Sequence, residues 1–326
     1  METLYYMLLA VSITSEYNEN MDTAVIIAKA MAQLFLVLFI GVIATKTGIL
    51  NADRTKGLSE LIMNITLPCM IAGSFFNANS PETLSNFLTA FWLSLLANII
   101  SCSVGIAFIR KKNNLFWQIE RSTASFPNVG FIGLPLAQML FGSEGALYIS
   151  AYVATYNMVQ WTYGEMLIGS FNKKSFLKTI RSPLLVASYI GFIVFFFNIP
   201  IPEIIVGGVK YVSNLNIALP MFIVANKLCE CDLKGIVKSL KGYYVYSLKL
   251  IVAPTVFIIV TKCILHTPEK PTLSILMGLA SPTAMAVTML CVKYDKNPGY
   301  AAGLLSMTNI LCILTIPVMA LLYSVI

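Results

Sequence analysis

Charged side chains are scarce in this chain: Asp, Glu, Lys and Arg make up 11% of its 326 residues, against about 25% in an ordinary soluble domain. With 57% hydrophobic residues and a mean hydropathy of +0.78, it has too little polar surface to cover a soluble globule of this length. A separate soluble domain is excluded as well, because apolar spans of about 20 residues recur along the whole chain. Histidine is nearly missing. His266 lies far in sequence from Cys229 and Cys231, the one close pair among seven cysteines, so no metal site and no cofactor are expected. The thiols read as small packing residues. An intramembrane enzyme would need paired acids, or an acid beside a histidine, inside the bilayer. All 15 acidic residues fall in loops, tails or within about a turn of a span end, Glu60 and Glu165 being the deepest. The chain is read as a non-enzyme.

The surplus of basic residues does not point to nucleic acid, because Lys and Arg sit in short connections between apolar spans. Hydropathy predicts ten spans, near residues 23–45, 57–77, 87–109, 121–141, 145–169, 183–199, 204–228, 243–265, 272–292 and 299–325, after a tail or short helix over 1–22. Of the 22 basic residues, 17 fall within 46–56, 110–121, 173–181, 227–241 and 293–296, which are alternate connections. That side is cytoplasmic by the positive-inside rule, and both termini are extracytoplasmic.

The chain repeats itself. Asn64-Ile-Thr-Leu-Pro68 recurs as Asn216-Ile-Ala-Leu-Pro220, Ser94-Leu95 as Ser247-Leu248, and Gly145 as Gly299, at offsets of about 152 to 154. Two five-span halves follow, 23–169 and 183–326, joined by a basic linker over 170–182. An odd number of spans per half forces opposite orientations, so the fold class is an all-α polytopic membrane protein built from inverted repeats.

Within the fourth span, Phe126 to Pro135 reads Phe-Pro-Asn-Val-Gly-Phe-Ile-Gly-Leu-Pro. Pro127 and Pro135 lack amide donors and Gly130 and Gly133 weaken the helix, so a continuous rod would leave backbone groups unpaired in hydrocarbon. A break is expected there. Its counterpart in the ninth span is Ala280-Ser281-Pro282-Thr283. Paired interrupted helices in inverted halves mark a transporter site, where half-helix N-termini favour an anion such as a carboxylate.

The candidate substrate residues are therefore Pro127, Asn128, Gly130, Ser281, Pro282 and Thr283. The Asn128 amide either donates to a carboxylate or caps the half-helix after Pro127. Asn157 in the fifth span and Asn309 in the tenth either contact substrate or tie helices together, and Asn64 either contacts substrate or satisfies backbone freed by Pro68. Lys249, well inside the eighth span, either draws an anion inward or snorkels to the interface.

The motif at 126–135, with Phe141-Gly-Ser-Glu-Gly145, Ser247 to Pro254 and Lys293-Tyr-Asp-Lys-Asn-Pro298, resembles the auxin efflux carrier family, which includes bacterial permeases and the plant PIN and PIN-like exporters. The resemblance covers residues 22 to 326. It implies a crossover of the fourth and ninth helices similar to that of sodium/proton antiporters and bile acid transporters, an elevator-like motion, and a substrate-contacting asparagine at Asn128. It also implies transport of organic anions, auxin in plants and dicarboxylates such as malonate in some bacterial relatives, and a homodimer formed through scaffold helices within the lipid bilayer. The long cytoplasmic loop of the plant exporters is replaced here by Asn172 to Ser182, and their Asn-Pro pair at the sixth helix by Ser182-Pro183. The function expected is a secondary carrier of small organic anions with export favoured; the alternatives are an anion sensor on the same fold or a cation-coupled uptake carrier.

Overall fold

A computed structural model describes residues 29–30, 32–76, 81–111, 114–170, 173–230 and 240–326; the tail expected over 1–22 lies outside the described residues. The described residues are mostly helical, with turns between the helices and one isolated antiparallel bridge, between Pro127 and Thr283. Among the described residues, four helices are long and apolar enough to cross a membrane alone, Glu82–Phe108, Glu203–Cys229, Lys241–Leu265 and Pro298–Val325. Large apolar side chains such as Trp92, Ile99, Phe196 and Leu314 stand exposed on the outside. That surface suits lipid. The chain is thus an all-helical polytopic membrane protein.

In chain order the helices are α1 (Ala32–Lys46), α2 (52–74) and α3 (Pro81–Phe108). Next come α4 (Trp117–Ser125) and α5, which starts as a π turn at Val129 and runs to 140. Phe141 and Gly142 are non-helical, Gly142 with φ 59°, so the chain turns back there into α6 (143–168). A glycine accepts that left-handed conformation without the Cβ clash. After α7 (Lys173–Ile180) come α8 (Pro183–Phe196), α9 (Glu203–Glu230) and α10 (240–265). The last three are α11 (Glu269–Ala280), α12 (Met285–Lys293) and α13 (Pro298–Val325).

The helices pack in two groups. The second half of α2 packs on α8 and α9, whereas α3 packs on α4 to α6, and α11 packs on α3, α5, α6 and α13. Buried polar side chains stitch each group internally. The Thr66 hydroxyl donates to Asn216 Oδ1 at 2.8 Å and that of Thr55 to Asn226 Oδ1 at 3.1 Å, binding α2 to α9. In the other group, Asn98 Nδ2 donates to Thr155 Oγ1 at 3.2 Å, and Thr155 Oγ1 to Ser94 Oγ at 2.9 Å. A hydroxyl or amide without water must find such a partner, so these pairs fix the rotation of each helix within its group.

Candidate substrate site

The site begins with what proline cannot do. Helix α4 stops at Ser125 because Pro127 has no amide to continue the ladder, and Phe126 is extended, with φ −111° and ψ 104°. Helix α11 stops at Ala280 for the same reason at Pro282, with Ser281 at φ −59° and ψ 152°. Nine residues rise only about 14 Å, so α4 and α12 each end well short of a bilayer's thickness.

The two extended segments lie side by side and satisfy each other. The Asn128 amide donates to the Pro282 carbonyl at 2.7 Å, and the Ala284 amide donates to the Phe126 carbonyl at 2.9 Å. The Thr283 hydroxyl donates to the Thr123 carbonyl at 3.1 Å, and the Thr283 amide to Thr308 Oγ1 at 3.2 Å. Ser281 Oγ donates back to the Met277 carbonyl at 2.8 Å. Pro127, Ser281, Pro282 and Thr283 are therefore buried members of the junction, and none of the four lines the cavity beside Asn128.

From this junction α5 and α12 start in earnest. Asn128 Oδ1 accepts the Phe131 amide at 3.3 Å, so its carboxamide caps α5. First-turn amides of a helix have no carbonyl one turn back to accept them. Val129 and Gly130 of α5, and Met285 and Ala286 of α12, line one cavity of about 610 Å³ together with Asn128. Two positive helix ends thus open on one space.

That cavity lies between the packing groups. Met63, Asn64 and Leu67 of α2 and Ile223 of α9 face Val153, Tyr156, Asn157 and Trp161 of α6, and Asp53, Lys56, Glu60 and Lys227 also border it. The Asn64 carboxamide donates to the Glu60 carbonyl at 2.8 Å and that of Asn157 to the Val153 carbonyl at 2.7 Å. Each amide nitrogen thus bonds the carbonyl one turn back. Asn309 is elsewhere: its nitrogen donates to the Leu305 carbonyl at 2.8 Å, its Oδ1 is buried without a partner, and it borders a gap of about 20 Å³ with Leu34 and Ile132. Lys249 is also outside the cavity, fully buried in a π turn of α10.

A second and larger cavity, about 840 Å³, occupies another part of the same interface. Met70, Gly73 and Ser74 of α2, Gln138 of α5, Glu144 and Leu147 of α6, and Val206 and Lys210 of α9 surround it. None of these residues is singled out for binding by the sequence, although Glu144 stands within the Phe141–Gly145 motif. The one signal available was Gln138, an amide in an apolar span whose Oε1 is buried without a partner. On α2, Leu67 borders the first cavity and Met70 the second, so about one helical turn separates them.

Comparison with known proteins gives the family. A family model described as "Membrane transport protein" matches residues 26–175 and again 167–320. An uncharacterized transporter of Methanocaldococcus jannaschii is 25% identical over 300 residues, 87% of this chain and 94% of the relative. A second uncharacterized transporter, from Methanothermobacter thermautotrophicus, is 20% identical over 297 residues, 89% of this chain and 96% of that protein. The match to the family model spans nearly the whole sequence, and the chain belongs to the auxin efflux carrier family of membrane transport proteins.

Proposed function

We propose that this protein is a secondary carrier of small organic anions, with carboxylates of the malonate or auxin-like kind as the substrate class. The observation that carries this reading is the convergence of first-turn amides from α5 and α12, with Asn128 between them, on one cavity between two packing groups. Partial positive charge and first-turn amides there favour a carboxylate. In this reading the spans are α1, α2, α3, α4 with α5, α6, then α8, α9, α10, α11 with α12, and α13. They form two inverted repeats over 23–169 and 183–326, with the breaks as their crossover and both termini extracytoplasmic.

The group containing α3 to α6 and α10 to α13 is the moving body, and α2, α8 and α9 the scaffold against which it slides. A cavity on either side of a partition about one turn thick supports carriage over mere sensing, since a receptor needs only one mouth. A small displacement of Asn128 along α2 would transfer substrate between them. An anion leaving a cell that is negative inside gains about 2.3 kcal/mol per charge per 100 mV, so export needs no coupling ion.

Flux of labelled malonate and indole-3-acetate into proteoliposomes, under a potential imposed by potassium and valinomycin, tests this reading. Net flux should follow the sign of the potential and fall in Asn128→Ala. Equal flux in both proteins would remove Asn128 from the site. No flux of any carboxylate would overturn the reading itself.

A further inference from the structure

Three charged side chains are buried among the described residues: Glu120, Glu165 and Lys249. Glu120 accepts from Asn114 at 2.6 Å and Tyr300 at 2.9 Å, and Glu165 is paired with Lys293 and Tyr294. Lys249 differs from both. It is 0% exposed, and its ammonium donates to the Leu279 carbonyl at 2.8 Å, a neutral acceptor. A buried ammonium needs negative charge nearby, and the surroundings supply it in an unusual form.

Leu279 is the penultimate residue of α11, so the ammonium sits on a helix C-terminus, whose unpaired carbonyls carry roughly half a negative charge. The other C-terminus at the junction, that of α4, is closed by neutral groups: the Ser101 hydroxyl donates to the Ser125 carbonyl and the Thr283 hydroxyl to the Thr123 carbonyl. Four helix ends meet at the breaks, two N-terminal and two C-terminal, and their half charges cancel in sum. Lys249 therefore decides the net charge of the junction. It is delivered there by the π turn Leu248–Val252, a local widening of the kind that recurs at functional sites.

We propose that Lys249 is a built-in counter-cation. It occupies the place at the end of α11 where exposed carbonyls would otherwise hold a free cation, and it thereby sets the junction to accept anions with no bound inorganic cation. This deepens the carboxylate-carrier reading and rests on it for the identity of the cargo. Lys249 does not touch the substrate cavity; it acts through the field at the helix ends, as a positioning charge.

The test compares purified wild type, Lys249→Met and Lys249→Ala. Truncation to Ala removes the equivalent of propylammonium, so thermal unfolding is followed with propylammonium, with 1-propanol as the uncharged match in size, and with sodium. Propylammonium or sodium should raise the melting midpoint of Lys249→Ala, leave wild type unmoved, and do so where propanol does not. If Lys249→Ala survives extraction only with propylammonium present, that dependence is the same result. Lys249→Met keeps the volume and loses the charge, so malonate flux should drop about tenfold or more. Flux within twofold of wild type in Lys249→Met overturns the proposal. So does a Lys249→Ala protein that propanol rescues as well as the amine, or that no additive rescues. Should wild type carry no carboxylate, the functional reading fails, and the amine rescue still decides the role of Lys249.

Discussion

The Asn128 amide and the Pro282 carbonyl are 2.7 Å apart, and this contact joins two halves of the chain that are 154 positions apart in sequence. Its reciprocal, Ala284 to Phe126 at 2.9 Å, makes each break the hydrogen-bonding partner of the other. Neither extended segment could sit in an apolar interior alone, since each would leave a donor and an acceptor unmet. The junction is thus stable only as a pair, and it leaves the next amides of α5 and α12 free to meet a ligand.

Asn128 caps α5, and the proposed function gives it a second role that substitution can separate from the first. An aspartate keeps the oxygen that accepts the Phe131 amide and is an equally good cap, so Asn128→Asp should fold normally. It adds a negative charge at the mouth of the proposed anion site, and on that proposal carboxylate flux should be abolished. Asn128→Ala should lose both functions, with a stability loss of about 0.5 to 2 kcal/mol. Melting curves read beside proteoliposome flux check the pattern. Undiminished flux in Asn128→Asp would show that no anion passes this residue.

Thr283 ties α12 back to α4 through its hydroxyl, which donates to the Thr123 carbonyl at 3.1 Å. Thr283→Val preserves shape and the backbone bond to Thr308, and leaves that buried carbonyl unsatisfied. The expected cost is about 1 to 3 kcal/mol, seen as a lower unfolding midpoint in detergent. A midpoint equal to wild type would mean that the hydroxyl bond contributes nothing net.

Much of this could be read in the sequence, for a definite reason. Pro127 and Pro282 lack a donor wherever they stand, which marks both as places where a helix can stop, although Pro220 and Pro317 stand inside α9 and α13 without ending them. What each residue faces is another matter. Asn157 and Asn309 are the same residue type and both bond the carbonyl one turn back, yet one lines the cavity and the other borders a small gap, because different helices pack beside them. Ser281 has the chemistry of a ligand-binding hydroxyl and turns back onto Met277. The bond from Lys249 to Leu279 required knowing that α10 passes the end of α11. The second cavity left almost no trace, because Met70, Val206 and Leu147 look like any packing residues until a space opens beside them.

At the rim of that second cavity, Lys270 donates to Glu144 at 2.9 Å, joining the start of α11 to the start of α6, with side chains 55% and 41% exposed. The hydrogen bond to Glu144, with the carboxylate's charge, raises the Lys270 pKa above its ordinary value. A raised folded-state value means that this stabilisation is complete below the unfolded lysine value of about 10.4 and disappears as pH climbs through the folded one. Solvent screening limits it to roughly 0.2 to 1 kcal/mol. Glu144→Gln should lower the melting midpoint slightly near neutral pH, and the gap from wild type should close in strong alkali and in high salt. A gap that persists unchanged in alkali would place its origin elsewhere than in this ion pair.

Gly133 and Gly130 both belong to the first turns of α5, and they predict opposite outcomes. A Cβ on Gly133 would lie 2.7 Å from the Gly278 Cα and 3.2 Å from Ser281 Oγ, so α5 and α11 approach through bare backbone there. Backbone cannot step aside as a side chain can, and Gly133→Ala should force the two helices apart at a cost of about 1 to 3 kcal/mol. A Cβ on Gly130 would meet only Leu67 Cδ1, at an ordinary 3.7 Å, and Gly130 borders the first cavity. Gly130→Ala should therefore fold and transport. Gly130→Leu should fold as well, while its side chain fills part of the proposed substrate cavity, so that on this proposal flux disappears with the melting midpoint nearly unchanged. Folded protein with full flux in Gly130→Leu would show that substrate does not use the space beside Asn128, and a stable, active Gly133→Ala would show that α5 and α11 need not touch.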